Sequence, residues 1–431
     1  MASTARTQGE ADTGTPSGNR WLLVAAGLLL QFSIGAVYAW SVFSSALQDK
    51  EAAPDWALSK VEASLPFTVT IAMIFIGTYI GGRIQDKKGP RIVALSGGVI
   101  YAIGIILAGF ARGADQLWLL IAGYGVISGF GLGVAYIVPI AMLQKWFPDK
   151  KGLITGLAVG GFGFGAVLTS PVAKWLIDQD PTQPTKAFLW LGIAYLVMSL
   201  IGASFFKNPP QGYAVPGYEA AGAAGGEAAH EYTQGEALRT PQWYFLTAIL
   251  TLNVSAGIAL ISVAAGSAEG IGGYSAAGAA AVVGVLAIFN GAGRIVWAAA
   301  SDYVGRMRAF AAMLGLQGVC LLIMPYAQNA ALWFVLAAVI YLCYGGGFGT
   351  MPATAGDFFG VKNAGAIYGL MLIGWSLGGV IGPIVISTLL GEGDDPDYQL
   401  AYTTMGIIAL ISVALTFITK KPAARRRAAA A

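Results

Sequence analysis

Twelve stretches of about twenty or more apolar residues run through this chain, and stretches of that length leave few folds open. At 1.5 Å per residue, a helix of ~20 apolar residues crosses a hydrocarbon core about 30 Å thick. Lipid offers the backbone no hydrogen-bond partner, so each run must satisfy its own groups as a helix. The runs fall at about 21–43, 61–82, 91–111, 116–142, 152–177 and 187–206. They resume at about 242–267, 275–300, 308–327, 331–355, 364–390 and 400–419. The first is too long for a signal-peptide core and ends without a convincing cleavage site. Charge agrees with this reading. Only 11% of the 431 residues are charged and 56% are hydrophobic, whereas a soluble domain carries roughly 25% charged residues. That excludes a soluble enzyme and a disordered chain. A net charge of +3 is too small to point to nucleic acid. The expected fold class is an all-α polytopic membrane protein with twelve transmembrane helices.

The bases set an orientation. An even number of spans puts both termini on one side. Segments on that side hold nineteen Lys and Arg residues, and segments on the other hold five: Lys50, Lys60, Arg112, Lys174 and Lys186. The orientation rule counts these bases, so the termini are expected in the cytoplasm. The loop after the eleventh span carries Glu392, Asp394, Asp395 and Asp397 and no base, which agrees weakly. Residues 1–20 read as a disordered cytoplasmic tail, 21–206 and 242–419 as two six-helix halves, and 420–431 as a basic tail. Between the halves, 207–241 is a central cytoplasmic loop. Its Ala220–Ala229 stretch has the composition of a tether, and Thr240-Pro241 reads as an N-cap followed by the first helical residue.

The halves repeat. Gly82-Arg-Ile-Gln-Asp86-Lys-Lys-Gly89-Pro-Arg91 after the second span is echoed by Ser301-Asp302-Tyr-Val-Gly305-Arg306 after the eighth. A longer echo matches Ile154–Pro171 to Ile367–Pro383 with one deletion, and Pro139 and Pro352 each precede their echo glycine, Gly156 and Gly369, by 17 residues. Parallel duplication of six-span halves is a transporter architecture, with substrate bound between the halves near the midplane.

One base fits neither side. Arg294 lies eight residues before Asp302, about 12 Å along the helix and so near mid-membrane. A guanidinium there costs roughly 2.5–3.5 kcal/mol on insertion scales, and no acid is expected at that depth. An anionic substrate would supply the missing charge, and a carboxylate fits the planar fork in bidentate fashion. The competing reading is a structural arginine held by backbone carbonyls. Elsewhere the candidates thin out. The one histidine, His230, falls in the central loop, so no histidine relay or Ser/His/Asp set exists within the spans. Cys320 and Cys343 lie in apolar runs without metal-type spacing. Gly161–Gly165 lacks the strand and terminus of a nucleotide loop and reads as helix packing.

The Gly82–Arg91 loop resembles the hallmark of the major facilitator superfamily, over nearly the whole chain. More narrowly, Asn19-Arg20-Trp21, Tyr38-Ala-Trp40, Lys145–Gly152, Leu238–Pro241, Phe289–Arg294 and Ser301-Asp302 resemble the oxalate/formate antiporter family, a relative of the monocarboxylate transporters. The resemblance implies the major facilitator fold and a substrate carboxylate on Arg294. Tyr38, Tyr136, Tyr344 and Phe348 resemble that family's aromatic pocket, Phe348 standing where the oxalate exchanger has tyrosine. Trp375 falls where that exchanger has a second cation, a lysine, which argues for a monocarboxylate over oxalate. Asn290 stands where proton-coupled relatives have an aspartate and cannot titrate, and the first span holds no lysine. Both absences favour exchange over proton symport. Asp86, Arg91, Asp302 and Arg306 are expected to gate the cytoplasmic end.

The expected function is secondary active exchange of small organic monocarboxylates by alternating access, with Arg294, Tyr38, Tyr136, Tyr344, Phe348, Trp375 and Asn290 at the substrate. The alternatives are a proton-coupled lactate- or pyruvate-like symporter, an oxalate/formate exchanger and a non-transporting membrane sensor. The partners are a carboxylate and the bilayer of the plasma (inner) membrane, with no cofactor, no metal, no nucleic acid and a monomeric state.

Overall fold

The computed structural model describes residues 19–210, 212–213, 215, 231–391 and 396–422. Most of the expected N-terminal tail, the Ala220–Ala229 tether, His230, Glu392, Asp394, Asp395 and Arg425–Arg427 lie outside the described residues. Among those described, twelve helices are long and apolar enough to cross a membrane. In the first half they are α1 (Trp21–Gln48), α2 (Lys60–Lys88), α3 (Pro90–Ala108), α4 (Ala114–Trp146), α5 (Lys151–Gln179) and α6 (Pro184–Ser204). In the second half they are α7 (Pro241–Gly270), α8 (Ala276–Val304), α9 (Arg306–Tyr326), α10 (Ala330–Phe359), α11 (Ala364–Leu390) and α12 (Tyr398–Ile418).

Helix ends follow local chemistry. A capping box opens α2: Ser59 accepts from the Glu62 N–H, and the Glu62 carboxylate accepts from the Ser59 N–H. Asn329 and Asp397 cap α10 and α12 through the Leu332 and Leu400 N–H groups. Thr240 departs from expectation. Pro241 does start α7, but the Thr240 hydroxyl donates backward to the Ala237 carbonyl instead of capping.

The sequence repeat is a packing repeat. In the first half α1 packs on α5, α2 on α4 and α3 on α6; in the second, α7 packs on α11, α8 on α10 and α9 on α12. Gly89 and Gly305, each three residues after an echoed aspartate, close α2 and α8 with φ of 86° and 94°. An L side chain is strained there, which is why both copies keep glycine.

Three helices depart from regular α-geometry. α1 tightens to a 3-10 stretch over Gly35–Ala39, because a Cβ on Gly35 would stand 2.1 Å from the Phe162 carbonyl oxygen of α5. That turn carries Tyr38. α4 widens to a π-helix over Ile121–Ser128, where the Ser128 and Thr70 hydroxyls both donate to the Tyr124 carbonyl. α11 breaks at Leu372, between Ala364–Met371 and Ile373–Leu390. Tyr368 and Trp375 flank that break.

The halves join through α5 with α8 and α10, and through α2 with α11. Their closest backbone approaches begin at the end that carries the termini, at Gly152–Ala298 and Gly82–Gly365, and reach Gly156–Arg294; toward mid-membrane the Ile295 and Phe164 side chains pack on Gly160 and Gly291.

Candidate substrate site

Arg294 sits at the level where those contacts end. It is 1% exposed. Nη1 donates to the Val159 carbonyl of α5 at 3.4 Å, while Nε and Nη2 have no partner. Among the described residues no ion pair includes it. Room for the guanidinium comes from Gly163, where a Cβ would stand 3.3 Å from Nε. A buried unpaired charge costs several kcal/mol. Two rings repay part of it, since the guanidinium carbon lies 5.9 Å from the Tyr38 ring centre and 5.2 Å from that of Phe348. Nε and Nη2 still make no hydrogen bond, and the Tyr38 hydroxyl is the phenol that stands nearest in effect to the charge.

Each ring belongs to a triad, one from each half. In the first half Phe162 meets Tyr38 at 5.2 Å and Tyr136 at 4.9 Å, both edge-on. In the second, Phe348 meets Tyr344 at 5.3 Å and Trp375 at 5.4 Å, also edge-on. The repeat register that pairs Gly156 with Gly369 pairs Phe162 with Trp375. The two triads share that one repeated position and otherwise differ, with Phe162 of α5 at the centre of the first and Phe348 of α10 at the centre of the second. The Tyr136 and Tyr368 hydroxyls lie near each other and near the Arg294 charge, and the Tyr368 hydroxyl has no hydrogen-bond partner. In chemical terms the site offers two charged N–H donors, several phenolic hydroxyls and apolar ring faces. It suits a small anion with an apolar or neutral remainder.

Sequence reasoning reached Arg294, Tyr38, Tyr136, Tyr344, Phe348 and Trp375, and the structure gathers all six. It missed Phe162 and Tyr368. The repeat register, which sets Phe162 against Trp375, is a signal for the first; it sets Tyr368 against Thr155 and carries none for the second. Asn290 lies beside the box on α8, its Oδ1 2.8 Å from where a Cβ on Gly345 of α10 would stand and without a hydrogen-bond partner.

At the termini end the echoed acids act reciprocally. Asp302 of α8 accepts from the Gly152 and Leu153 N–H groups that open α5, at 2.9 and 3.0 Å. Asp86 of α2 accepts from the Ala366 N–H that opens the first segment of α11, at 3.1 Å. Each acid sits at the positive end of a helix in the opposite half. Arg306 binds Asp302 at 2.7 Å and Asp357 at 2.9 Å, and Lys151 reaches Asp357 at 3.1 Å. Lys145 stands 3.9 Å from Asp86. The end of the central loop joins here too: Gln234 donates to the Ala366 carbonyl and Asn363 to that of Tyr232. Arg91 is corrected. Its Nε donates to the Phe206 carbonyl just after α6, within its own half, and among the described residues it bridges nothing across the seam.

The model of the Major Facilitator Superfamily matches residues 28–289 and 247–431, which together cover most of the chain. The chain belongs to that superfamily. Its relatives include the "Uncharacterized MFS-type transporter YhjX" of Escherichia coli, 28% identical over 85% of this chain and 88% of that one. The oxalate:formate antiporter of Oxalobacter formigenes is 26% identical over 93% and 92% of the two chains. The apicoplast pyruvate carrier 1 of Toxoplasma gondii is 25% identical over 86% and 84%. Among solved structures, the Escherichia coli fucose:proton symporter FucP aligns with a TM-score of 0.68 at 16% identity, covering 93% of this chain and 99% of that one. The fold is the major facilitator fold, and the chain is a multi-pass membrane transporter, not an enzyme.

Proposed function

We propose that this transporter exchanges small monocarboxylates between the two sides of the plasma membrane, with the carboxylate held by Arg294. One observation carries the reading: a buried guanidinium with two unpartnered nitrogens, no protein acid and an aromatic triad from each half around it. The oxalate:formate antiporter and the pyruvate carrier among its relatives support an organic acid as cargo. Termini in the cytoplasm follow from the distribution of Lys and Arg.

Exchange follows from electrostatics. An empty carrier must swing Arg294 through mid-membrane unpaired, and a bound carboxylate removes that penalty. Among the described residues no carboxyl group pairs with Arg294 to carry a proton in its place. In proteoliposomes, internal substrate is expected to stimulate uptake of labelled monocarboxylate about tenfold with equal pH on both sides. Uptake that needs a pH gradient and ignores internal substrate overturns exchange in favour of symport.

The reciprocal acids form the gate at the termini end. Replacing Asp302 and Asp357 by Asn leaves one of the two helix-end bonds without its acceptor and removes three part-buried ion pairs, and each ~1.4 kcal/mol shifts the open population tenfold. Both native cysteines are buried, so labelling is clean. A cysteine replacing Thr78, which is buried at the α2–α11 seam, is expected to label at least about tenfold faster from the termini side in the Asp302→Asn, Asp357→Asn background. An unchanged rate removes these residues from the gate.

A further inference from the structure

A second cationic feature lies away from the transport path. The ends of α1, α3, α4 and α6 enclose a cleft of about 210 Å³ on the termini end of the first half, lined by Asn19, Arg20, Arg91, Trp146, Ser204 and Lys207, with Leu22, Leu23 and Phe205 beside them. Three bases therefore converge in one small volume. Arg20 is committed: it holds Asp149 in a bidentate pair at 2.8 and 3.0 Å and lies 4.2 Å over the Phe147 ring. Arg91 and Lys207 enter no ion pair among the described residues, and both are exposed. Arg91 is anchored by a single bond from Nε to the Phe206 carbonyl, so both of its terminal nitrogens remain to be used.

The surroundings distinguish this cleft from a solvated patch. Leu22, Phe205, Ile92 and Ile201 are 51%, 43%, 58% and 51% exposed. Leu22 and Phe205 line the cleft, Ile92 follows Arg91, and Ile201 lies one turn before Phe205 on the same helix. The basic mouth opens onto an apolar wall that faces lipid. A ligand that fills both parts has an anionic head and hydrocarbon tails.

We propose that the cleft binds the phosphate-bearing headgroup of an anionic phospholipid, with Arg91 and Lys207 on the phosphate and the acyl chains along Leu22, Ile92, Ile201 and Phe205. Arginine presents a fork that matches phosphate oxygens, and lysine adds a point charge. Basic pockets between helix ends are suited to such headgroups. The assignment also gives Arg91 a task that does not require it to bridge the halves. It is independent of what the transporter carries.

The test uses the full chain purified in detergent. Titrating phosphatidylglycerol is expected to raise the melting midpoint by roughly 3–6 °C at saturation, and phosphatidylcholine by less than half of that. The Arg91→Gln, Lys207→Gln variant is expected to melt as wild type without lipid and to lose most of the increment. Arg91→Lys with Lys207→Arg keeps the charge and is expected to retain it. Lys420→Gln with Lys421→Gln removes two bases from the same end of the other half and should also retain it. A full increment in the Arg91→Gln, Lys207→Gln variant overturns the proposal. So does inorganic phosphate reproducing the wild-type increment, since the occupant would then be a free anion rather than a lipid. If the double Gln variant does not fold, native mass spectrometry of Lys207→Gln alone decides: fewer than half the wild-type phosphatidylglycerol adducts support the site, and equal adducts overturn it.

Discussion

Replacing Arg294 by Gln is expected to abolish carboxylate exchange while leaving the protein folded. Two charge-assisted bonds to a carboxylate contribute ~1.5–3 kcal/mol each. Losing both weakens substrate binding by at least about 100-fold, since every 1.4 kcal/mol is tenfold. Stability should hold or rise, because the variant no longer buries a charge whose Nε and Nη2 lack partners. The two effects move in opposite directions, which makes the result diagnostic. Counterflow and a melting curve on the same preparation measure both. Exchange within threefold of wild type would remove Arg294 from the site. Arg294→Lys retains a point charge without the fork and is expected to fall between the two.

Trp375→Lys is expected to reverse the choice of charge. In the native box one cation faces the substrate, so a monoanion is neutralised and a dianion is left with an unpaired charge. Trp375 touches Phe348, whose ring lies 5.2 Å from the guanidinium carbon, so an ammonium in its place would enter the same box. A second charge-assisted bond contributes ~1.5–3 kcal/mol to a dianion, about 10- to 100-fold in affinity. It also leaves two like charges facing each other when a monoanion is bound. Thermal protection by oxalate is expected to exceed that by formate in the variant, and formate or a larger monocarboxylate to be preferred in the native protein. Preference for a dicarboxylate in the native protein would overturn the role given to Trp375.

The spans were legible because length and apolarity alone decide them in a bilayer, and their ends because caps and prolines are local. The breaks at Gly35–Ala39, Ile121–Ser128 and Leu372 were not. They arise from how closely a neighbouring helix approaches, as at the Gly35–Phe162 contact, and no pattern within the segment records it. Arg294 stood out because a lone base in an apolar run has few explanations. Phe162 and Tyr368 did not, because an aromatic residue in a membrane helix is ordinary until its neighbours are known. Arg91 was misread for a related reason. Its motif fixes the turn that carries it but not the half toward which the side chain leans. Asn290 has the right helical spacing from Arg294, and its buried Oδ1 is left without a hydrogen-bond partner.

The crosswise placement of Asp86 and Asp302 has a consequence for leakage. Each acid holds a helix of the opposite half, so tilting either half strains both latches together. A half-released state would break one set of bonds without freeing the seam. Such a mechanism has little reason to dwell between its end states, and a continuous water path needs that dwelling. Leakage of water and small ions through a half-open seam would then be rare.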